Sequence, residues 1–253
     1  MNELAGLRPV RKRKAKKKSI KAQKKPALLL RPFLWLWKWF LRGVFGVVAL
    51  TLAVIFLYNF VNPPTTIYMN QEARRLGGIK HQWVSIDDIA PVMARSLVAA
   101  EDANYCLHWG FDMDAIRQVI AEGGNRGAST ISQQVVKNAF LWHERSWTRK
   151  GLEALLTPVV EAVWSKRRIV EVYLNVAEFD EGVFGVQAAS RHYFGVDAAD
   201  LSATQSARLA AILPNPKRRS ASRPSRFVQK RTSQIMSGAS TIRADGRAAC
   251  FSG

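Results

Sequence analysis

The sequence predicts a mainly α-helical domain behind a single N-terminal transmembrane helix. An uncharged stretch of 19 residues, Gly43 to Val61, is long enough to cross a bilayer. From Ser85 onward, apolar residues recur at helical spacing in segments separated by Gly and Pro, and no run resembles a buried parallel strand. Roughly 190 residues follow the anchor, which is enough for one domain with its own hydrophobic core.

The N-terminal tail, residues 1–32, is strongly basic. Residues 1–42 hold 14 of the 38 lysines and arginines but only one of the 19 acidic residues. Runs such as Arg11 to Lys14 repel one another, so we expect this tail to be disordered. Because the charge lies directly before the anchor, it indicates a cytoplasmic N-terminus and contact with anionic membrane lipids, and we expect no nucleic-acid partner.

The anchor segment, residues 33–61, has the features of a membrane-spanning helix. Its uncharged part spans roughly 28 Å as a helix, close to the ~30 Å hydrocarbon core. Trp35, Trp37 and Trp39 precede it, where an aromatic belt meets the membrane interface. No small-residue cleavage site follows, which favours a retained anchor over a signal peptide. We therefore expect a single-pass protein of the cytoplasmic (inner) membrane, with the following domain on the periplasmic side.

The rest of the chain reads as a linker, a helical domain and a basic extension. The linker, residues 62–84, contains short extended pieces at 66–68 and 82–84, and Ser85 begins the first helix of the domain through a capping box. Pro158 should kink or divide its helix. Residues 217–253 predict a partly disordered extension with one helix near 224–236. Helices of the domain, residues 85–216, are predicted at 86–102, 112–121, 130–140, 147–165, 166–175, 183–194 and 202–213.

Glu101 is the leading candidate for chemistry. It lies near the C-terminal end of the first predicted helix, after the apolar stretch from Leu97 to Ala100. Burial and the negative end of the helix dipole both disfavour a charged carboxylate, so we expect a raised pKa. A carboxyl of this kind suits proton transfer near neutral pH. The alternative is a solvated glutamate at the end of a helix.

A polar strip is predicted on the helix at 130–140. Ser129, Gln133 and Lys137 recur every four residues and therefore share one helix face over roughly 12 Å. A hydroxyl, an amide and an ammonium in one line suit a sugar with an anionic leaving group, and the helix N-terminus favours phosphate. The alternative is a solvent-exposed face on which Gln133 only completes a capping box with Thr130.

Other charged and polar residues divide between site and scaffold. Arg149 and Glu153 are four residues apart and can pair on one helix face. His108 has no second histidine at metal-ligand spacing, which argues against a zinc site. Two cysteines are too few for a disulfide framework, and a single bridge between Cys106 and Cys250 stays open. We interpret the following as structural: Glu161 and residues 166–168 as surface charge, Tyr173 and Asn175 as packing and capping residues, and Phe111, Met113, Ile116, Val119 and Ile120 mostly as core, with one or two at a membrane-touching lip.

These segments together resemble a known family. The run from Glu101 to Gly110 is similar to the E-D-x-x-F-x-x-H-x-G motif of the peptidoglycan glycosyltransferases, glycosyltransferase family 51. Four further segments resemble the family's later motifs in the same order over about residues 83–215, and the likeness is to monofunctional members with one N-terminal helix. These segments are Arg126–Asn138, Arg149–Glu153, Arg168–Asn175 and Gly182–Ala189, with departures at Tyr105, Ala128, Ser132 and Pro158.

The resemblance implies a lysozyme-like helical fold and a reaction. It implies polymerisation of lipid II into β-1,4-linked glycan strands, with inversion at the anomeric carbon and release of undecaprenyl diphosphate. Partners would be lipid II, the growing strand, membrane lipids and a cell-wall synthesis or division complex, with a divalent cation, Mg²⁺ or Mn²⁺, as an optional cofactor. The implied residues are Glu101 and Glu153 as catalytic groups, Ser129, Gln133, Lys137, Asn138 and Arg149 in substrate binding, and Asp102, His108 and Lys150 in support.

Two other functions fit parts of the pattern. A glycan-cleaving enzyme on the same fold would use Glu101 as an acid, but it has no need of a diphosphate clamp such as Lys137. A membrane-anchored basic binding protein would use the tail alone. The sequence has no S-x-x-K, K-T-G or G-x-S-x-G motif, which argues against acyl transfer in this chain.

Overall fold

The computed structural model describes residues 31–123 and 127–252, and the chain divides into two compact units after Leu50. The predicted basic tail, apart from its last two residues, and Arg126 of the second motif lie outside the described residues. Within them the protein is mainly α-helical, with ten α-helices and three very short strands. The helices are α1 (Arg31–Tyr58), α2 (Ile67–Leu76), α3 (Pro91–Glu101), α4 (Met113–Ala121), α5 (Ile131–Phe140), α6 (Trp147–Val163), α7 (Lys166–Val176), α8 (Val186–Phe194), α9 (Ala203–Ile212) and α10 (Arg226–Ala244), and the strands are β1 (Lys80–His81), β2 (Glu178–Asp180) and β3 (Val183–Phe184).

Helix α1 is long and apolar enough to cross a membrane, and it is compatible with the predicted anchor. Its span from Pro32 to Tyr58 has a mean hydropathy of 2.4 in its most apolar window. The helix ends at Tyr58, three residues before the predicted limit at Val61. Near its start the ring of Trp35 meets that of Trp39 edge to face, with centroids 6.1 Å apart. The guanidinium of Arg42 lies over Trp39, an arrangement suited to an interface between water and lipid.

The segment before the domain is more ordered than a linker. Residues 66–68, expected to be extended, instead start α2, because the Thr66 hydroxyl accepts a hydrogen bond from the backbone N–H of Met69. Tyr68 and Met69 are buried. Ser85 caps only a short 3₁₀ turn, Ile86–Asp88, and the expected helix begins later, at Pro91. Pro91 disfavours a helical conformation at the residue before it and fits the first position of a helix.

Two groups of helices build the domain. Helices α3, α9 and α10 pack against one another, and α5 packs on α6 and α7. Pro158 lies inside α6, which stays one continuous helix and is not divided. Pro158 removes one amide donor from the helix, and the packing of α6 on α5 holds the two halves in line.

The C-terminal region belongs to the folded core. Residues 217–253 were expected to be partly disordered, but α10 runs for 19 residues and buries Val228, Ile235 and Ile242. A disulfide joins Cys106 to Cys250, so the bridge that the sequence left open is formed. The helix expected near 224–236 is confirmed as the first part of α10. The expected disorder in the rest of 217–252 was wrong, because a narrow apolar stripe at helical spacing is diluted by many Ser and Arg residues.

The small sheet fixes the connection between α7 and α8. Its order is β1-β3-β2, with β3 parallel to β1 and antiparallel to β2. Gly185 follows β3 with a φ of 81°, and a Cβ there would lie 2.8 Å from the carbonyl oxygen of Asn175. Only glycine suits this position. Strands of two or three residues are too short to leave a periodic sequence pattern, so none was predicted between α7 and α8.

Candidate active site

Glu101 is the last residue of α3, as predicted, and its carboxyl lies in a cleft. Its Oε2 accepts a hydrogen bond of 3.0 Å from Nε2 of Gln134 on α5. The hydroxyl of Tyr173 on α7 donates to Oε1 of Gln134 at 2.9 Å. The other carboxyl oxygen of Glu101 is buried and has no hydrogen-bond partner among the described residues. One oxygen is therefore fixed by the scaffold, and the other is left for a ligand.

The environment raises the pKa of Glu101. Burial is the main cause, since it disfavours the charged carboxylate. The hydrogen bond from Gln134 and the charges of Arg231 and Lys137 lower the pKa in part. The direction is the one expected from the sequence, and it suits a group that exchanges a proton near neutral pH.

Asp102 and His108 hold the segment that follows Glu101. Oδ1 of Asp102 lies 2.8 Å from Nε2 of His108, and Oδ2 accepts from the backbone N–H of Ile131 at 3.0 Å. The hydroxyl of Thr130 donates to the carbonyl of Gly110 at 2.7 Å. The first two motifs are thus joined at the start of α5, which places Glu101 opposite the side chains of that helix.

A cationic cluster lies along the same cleft. Nη1 of Arg149 donates to Oε2 of the buried Glu153 at 2.7 Å, and the ammonium of Lys150 pairs with Oε1. Lys150 also donates to the Ser129 hydroxyl at 3.2 Å. Lys137 is largely buried nearby, and burial lowers its pKa against the attraction of Glu153. Three cations around one carboxylate leave a net positive surface that suits an anionic ligand.

Three adjoining cavities of about 470, 650 and 270 Å³ form the cleft. The first contains the cationic cluster, the second contains Glu101, and the third contains Asn138 and Tyr173. Gln134 lines all three cavities. The carboxyl of Glu101 and the cationic cluster therefore lie on either side of one glutamine, in a space large enough for linked sugars.

The structure separates the two neighbouring glutamines of α5. Gln133, predicted to bind substrate, is buried and completes the capping box by accepting from the backbone N–H of Thr130 at 3.0 Å. It does not line the three cavities, whereas Gln134 does. Sequence reasoning missed Gln134 because spacing along a helix shows which residues share a face, but not which face meets another segment. In the sequence, Gln134 was marked only by its position directly after the glutamine of the capping box.

Several residues that the sequence assigned to structural roles are buried or exposed contrary to expectation. Glu161, predicted as surface charge, is buried; it accepts from the Ser132 hydroxyl and pairs with Lys166 at 2.9 Å. Arg168, also predicted as surface charge, is buried and donates to the carbonyl of Tyr58. Burial is possible because these charges pair with each other and with backbone carbonyls. The five apolar residues at 111–120 were expected to be mostly core, and none of them is buried; they are Phe111, Met113, Ile116, Val119 and Ile120.

The cleft is a poor fit for a divalent cation. The carboxylate nearest the cationic cluster, Glu153, has its two oxygens engaged by Arg149 and Lys150. Asp102, His108 and Asp112 come within 4.8 Å of one another. Asp102 is bonded to His108 and Ile131, and Asp112 caps α4 through Ala115. Both carboxylates thus already have protein partners, whereas Nδ1 of His108 is buried without a hydrogen-bond partner among the described residues. No chemical step is assigned to a cation here.

A family model described as transglycosylase matches residues 69–242, a range that includes most of α10, and the chain belongs to this family. The protein is therefore a glycosyltransferase that acts on peptidoglycan, in agreement with the names of its relatives. It is 64% identical over 214 residues to a biosynthetic peptidoglycan transglycosylase from Jannaschia sp. (strain CCS1), covering 85% of this chain and 90% of that protein. It is 50% identical over 214 residues to the biosynthetic peptidoglycan transglycosylase of Pectobacterium atrosepticum, covering 80% and 87%. The equivalent protein of Caulobacter vibrioides is 46% identical over 207 residues, covering 80% and 90%.

Proposed function

We propose that this peptidoglycan glycosyltransferase polymerises lipid II, with Glu101 as the general base. The observation that carries the proposal is the carboxyl of Glu101, which lies at the cleft, has a pKa raised by burial and has one oxygen without a hydrogen-bond partner among the described residues. The 4-hydroxyl of the acceptor sugar would donate to that oxygen. A carboxylate with a raised pKa is a stronger base at neutral pH than an ordinary glutamate.

The proton acceptor, Glu101, and the cations that meet the leaving group lie on opposite sides of Gln134. The acceptor oxygen attacks the anomeric carbon of the growing strand, and its proton passes to Glu101. The bond between the anomeric carbon and the diphosphate oxygen breaks, so lipid diphosphate leaves and the α-linkage becomes β. Gln134, fixed by Tyr173, keeps the base carboxylate in one orientation while this happens.

The cationic cluster stabilises the leaving group. Lys137, Arg149 and Lys150 lie together in the first cavity, where a departing diphosphate would gain charge. Glu153 pairs with Arg149 and Lys150 and so fixes the direction of their donors. Preorganised cations in a partly buried site stabilise developing negative charge without further rearrangement. Glu153 therefore acts through these cations.

The anchor keeps the enzyme where the substrate is. Lipid II stays in the bilayer through its undecaprenyl chain, and α1 holds the domain at the same surface. Confinement to one membrane raises the effective concentration of the two partners. We propose that α1 spans the cytoplasmic membrane with the domain on the periplasmic side, and that the protein takes part in a cell-wall synthesis or division complex.

The decisive experiment is polymerisation of labelled lipid II by the Glu101→Gln variant. The full-length protein in detergent should fold normally and lose turnover by about 10²–10⁴-fold, because the amide cannot accept the proton. Asp200→Asn, which removes an exposed carboxylate elsewhere in the domain, is the control and should keep wild-type activity. Near-normal glycan formation by folded Glu101→Gln would overturn the assignment. Shortening of preformed glycan by the wild type would instead indicate a cleaving enzyme.

A further inference from the structure

Two arginines from the C-terminal region reach the Glu101 side of the cleft. Arg219 and Arg231 line the 650 Å³ cavity together with Glu101. Arg231 lies on α10, and Arg219 lies just after Pro216–Arg218, a short 3₁₀ turn. Neither belongs to the cationic cluster of Lys137, Arg149 and Lys150, which lines a different cavity. The cleft thus has cations on both sides of Gln134.

Backbone carbonyls hold these two guanidinium groups in place. Nη2 of Arg231 donates to the carbonyl of Ala100 at 3.0 Å, directly before Glu101 in the chain. Nη1 of Arg219 donates to the carbonyl of Ala211 at 3.2 Å, and its guanidinium lies over the exposed ring of Phe227. Among residues 31–123 and 127–252, neither arginine forms an ion pair with a carboxylate, and Nε of Arg231 is buried with no hydrogen-bond partner.

The carboxylates of this cavity do not neutralise the arginines. Asp102 is engaged by His108 and the backbone of Ile131, and Asp112 accepts from Asn104 and the backbone of Ala115. Burial raises the pKa of Glu101, and the charge of Arg231 lowers it only in part. Burial and the nearby charge of Arg231 lower the pKa of Arg219, and the charge of Glu101 raises it only in part, so the repulsion between the two guanidinium groups is not fully compensated. An entering oxyanion would relieve this repulsion and accept charge-assisted hydrogen bonds.

We propose that Arg219 and Arg231 form a second oxyanion site, which binds a phosphate or carboxylate group of the acceptor glycolipid. This inference rests on the proposed function, in which two lipid-linked substrates occupy the cleft at once. The donor's diphosphate occupies the cationic cluster beyond Gln134, so the acceptor's anions need separate partners. The acceptor carries two kinds of oxyanion, the diphosphate and the peptide carboxylates, and both suit a guanidinium.

The fold gives this site a rigid support. Helix α10 packs on α3, and Gly238 allows a close approach, since a Cβ there would lie 3.2 Å from that of Ala99. The disulfide from Cys106 to Cys250 ties the end of the chain to the turn after Glu101. Arg231 and the base carboxyl are therefore held on two elements that cannot shift independently, which is what alignment of an acceptor hydroxyl requires.

The test separates acceptor binding from chemistry. A labelled lipid-linked tetrasaccharide at fixed concentration serves as donor for the full-length enzyme in detergent, and lipid II is varied as acceptor. Arg231→Gln and Arg219→Gln should each raise the acceptor KM by about tenfold, the loss of one charge-assisted contact, with a smaller change in kcat. Lys230→Gln, which removes an exposed cation one residue away on α10, should match the wild type.

Modified acceptors identify the bound group. If the oxyanion is a peptide carboxylate, an acceptor with amidated carboxyls should give the wild type and Arg231→Gln the same KM. If the oxyanion is the diphosphate, an acceptor with a monophosphate should give the wild type and Arg231→Gln the same KM. The proposal is overturned if both arginine variants behave as Lys230→Gln does, or if neither modified acceptor removes the difference. Should Arg231→Gln fail to fold, Arg219→Gln decides alone. Failure of the proposed function would show in a different experiment, because the folded Glu101→Gln variant would then still polymerise lipid II.

Discussion

At the scale of single residues, the cleft depends on one carboxyl held by one amide. Gln134 donates to Glu101 and accepts from Tyr173, so a buried tyrosine on α7 fixes the orientation of the base across α5. Burial raises the pKa of the carboxyl, and the hydrogen bond from Gln134 and the charges of Arg231 and Lys137 lower it in part. The burial that raises the pKa of Glu101 also makes its charged form less favourable in the folded protein.

This conflict predicts opposite pH trends for activity and stability. The folded pKa of Glu101 is raised, so kcat/KM should increase as pH rises through that pKa and the carboxyl becomes ionised. The stabilising contribution of the protonated form is present below the unfolded pKa and is lost as pH rises through the folded pKa. Wild type should therefore lose stability relative to Glu101→Gln as pH rises from the ordinary pKa of a glutamate through the raised pKa of the folded state, measured by urea unfolding. Parallel stability curves for the two proteins would contradict this.

The two glutamines of α5 provide a matched pair of variants. Gln134→Ala should reduce turnover by about tenfold or more and leave Tm nearly unchanged, because it releases the base carboxyl. Gln133→Ala should reduce stability by about 1 kcal/mol through loss of the capping box and keep turnover per folded molecule. Steady-state kinetics and thermal unfolding of both variants check the difference. The same loss in both assays for both variants would show that the two roles are not separate.

At the scale of elements, α10 contributes more than its sequence suggests. It covers α3, the helix that carries Glu101, and places Arg231 in the cleft. Its C-terminal end is held by a disulfide that closes a sequence separation of 144 residues. A cross-link over so long a loop restricts the unfolded chain strongly.

Removal of the disulfide should weaken the domain. Cys250→Ser together with Cys106→Ser should lower the free energy of unfolding by about 3 kcal/mol, measured by urea denaturation of the full-length protein. Treatment of the wild type with a reductant should give the same shift, and the double variant should not respond to it. An unchanged midpoint in the double variant would mean that helix packing alone holds the C-terminal region.

At the scale of the whole molecule, the chain combines a basic tail, an apolar helix and a catalytic domain. Among the described residues, α1 carries no group of the cleft, since the residues that line all three cavities lie at or beyond Tyr68. We propose that the tail and α1 place the domain at a membrane. Chemistry and localisation should therefore respond to different deletions.

Deletion of residues 1–50 tests this division. In detergent, where enzyme and lipid II share micelles only transiently, the truncated protein should keep a kcat close to that of the full chain. With lipid II in vesicles, it should need about 10²-fold more enzyme for the same rate, because confinement to one surface is lost. Deletion of residues 1–30 alone, which keeps α1, is the control and should cost little in either assay. Equal losses in micelles and vesicles would imply a structural role for the deleted segment.

The sequence predictions were accurate where an interaction joins residues close in the sequence, and they failed where it joins distant segments. The position of Glu101 at a helix end, the capping of α5 and the pair of Arg149 with Glu153 were confirmed, because each depends on residues within one or two helical turns. The start of α2, the burial of Glu161 and the continuation of α10 beyond residue 236 were not predicted. These depend on which segments meet in space, and helical periodicity carries no information on that.

The sequence by itself determined the membrane-compatible helix, the helical class, the family resemblance and the candidate catalytic carboxyl. All of these rest on local spacing and on the identity of a few reactive side chains. Only the tertiary structure decided that Gln134 and not Gln133 faces Glu101, that Cys106 meets Cys250, and that Arg219 and Arg231 enter the cleft. The physical reason is that a helix presents every side chain to some direction, and only packing against other segments decides which direction becomes core, cap or active site.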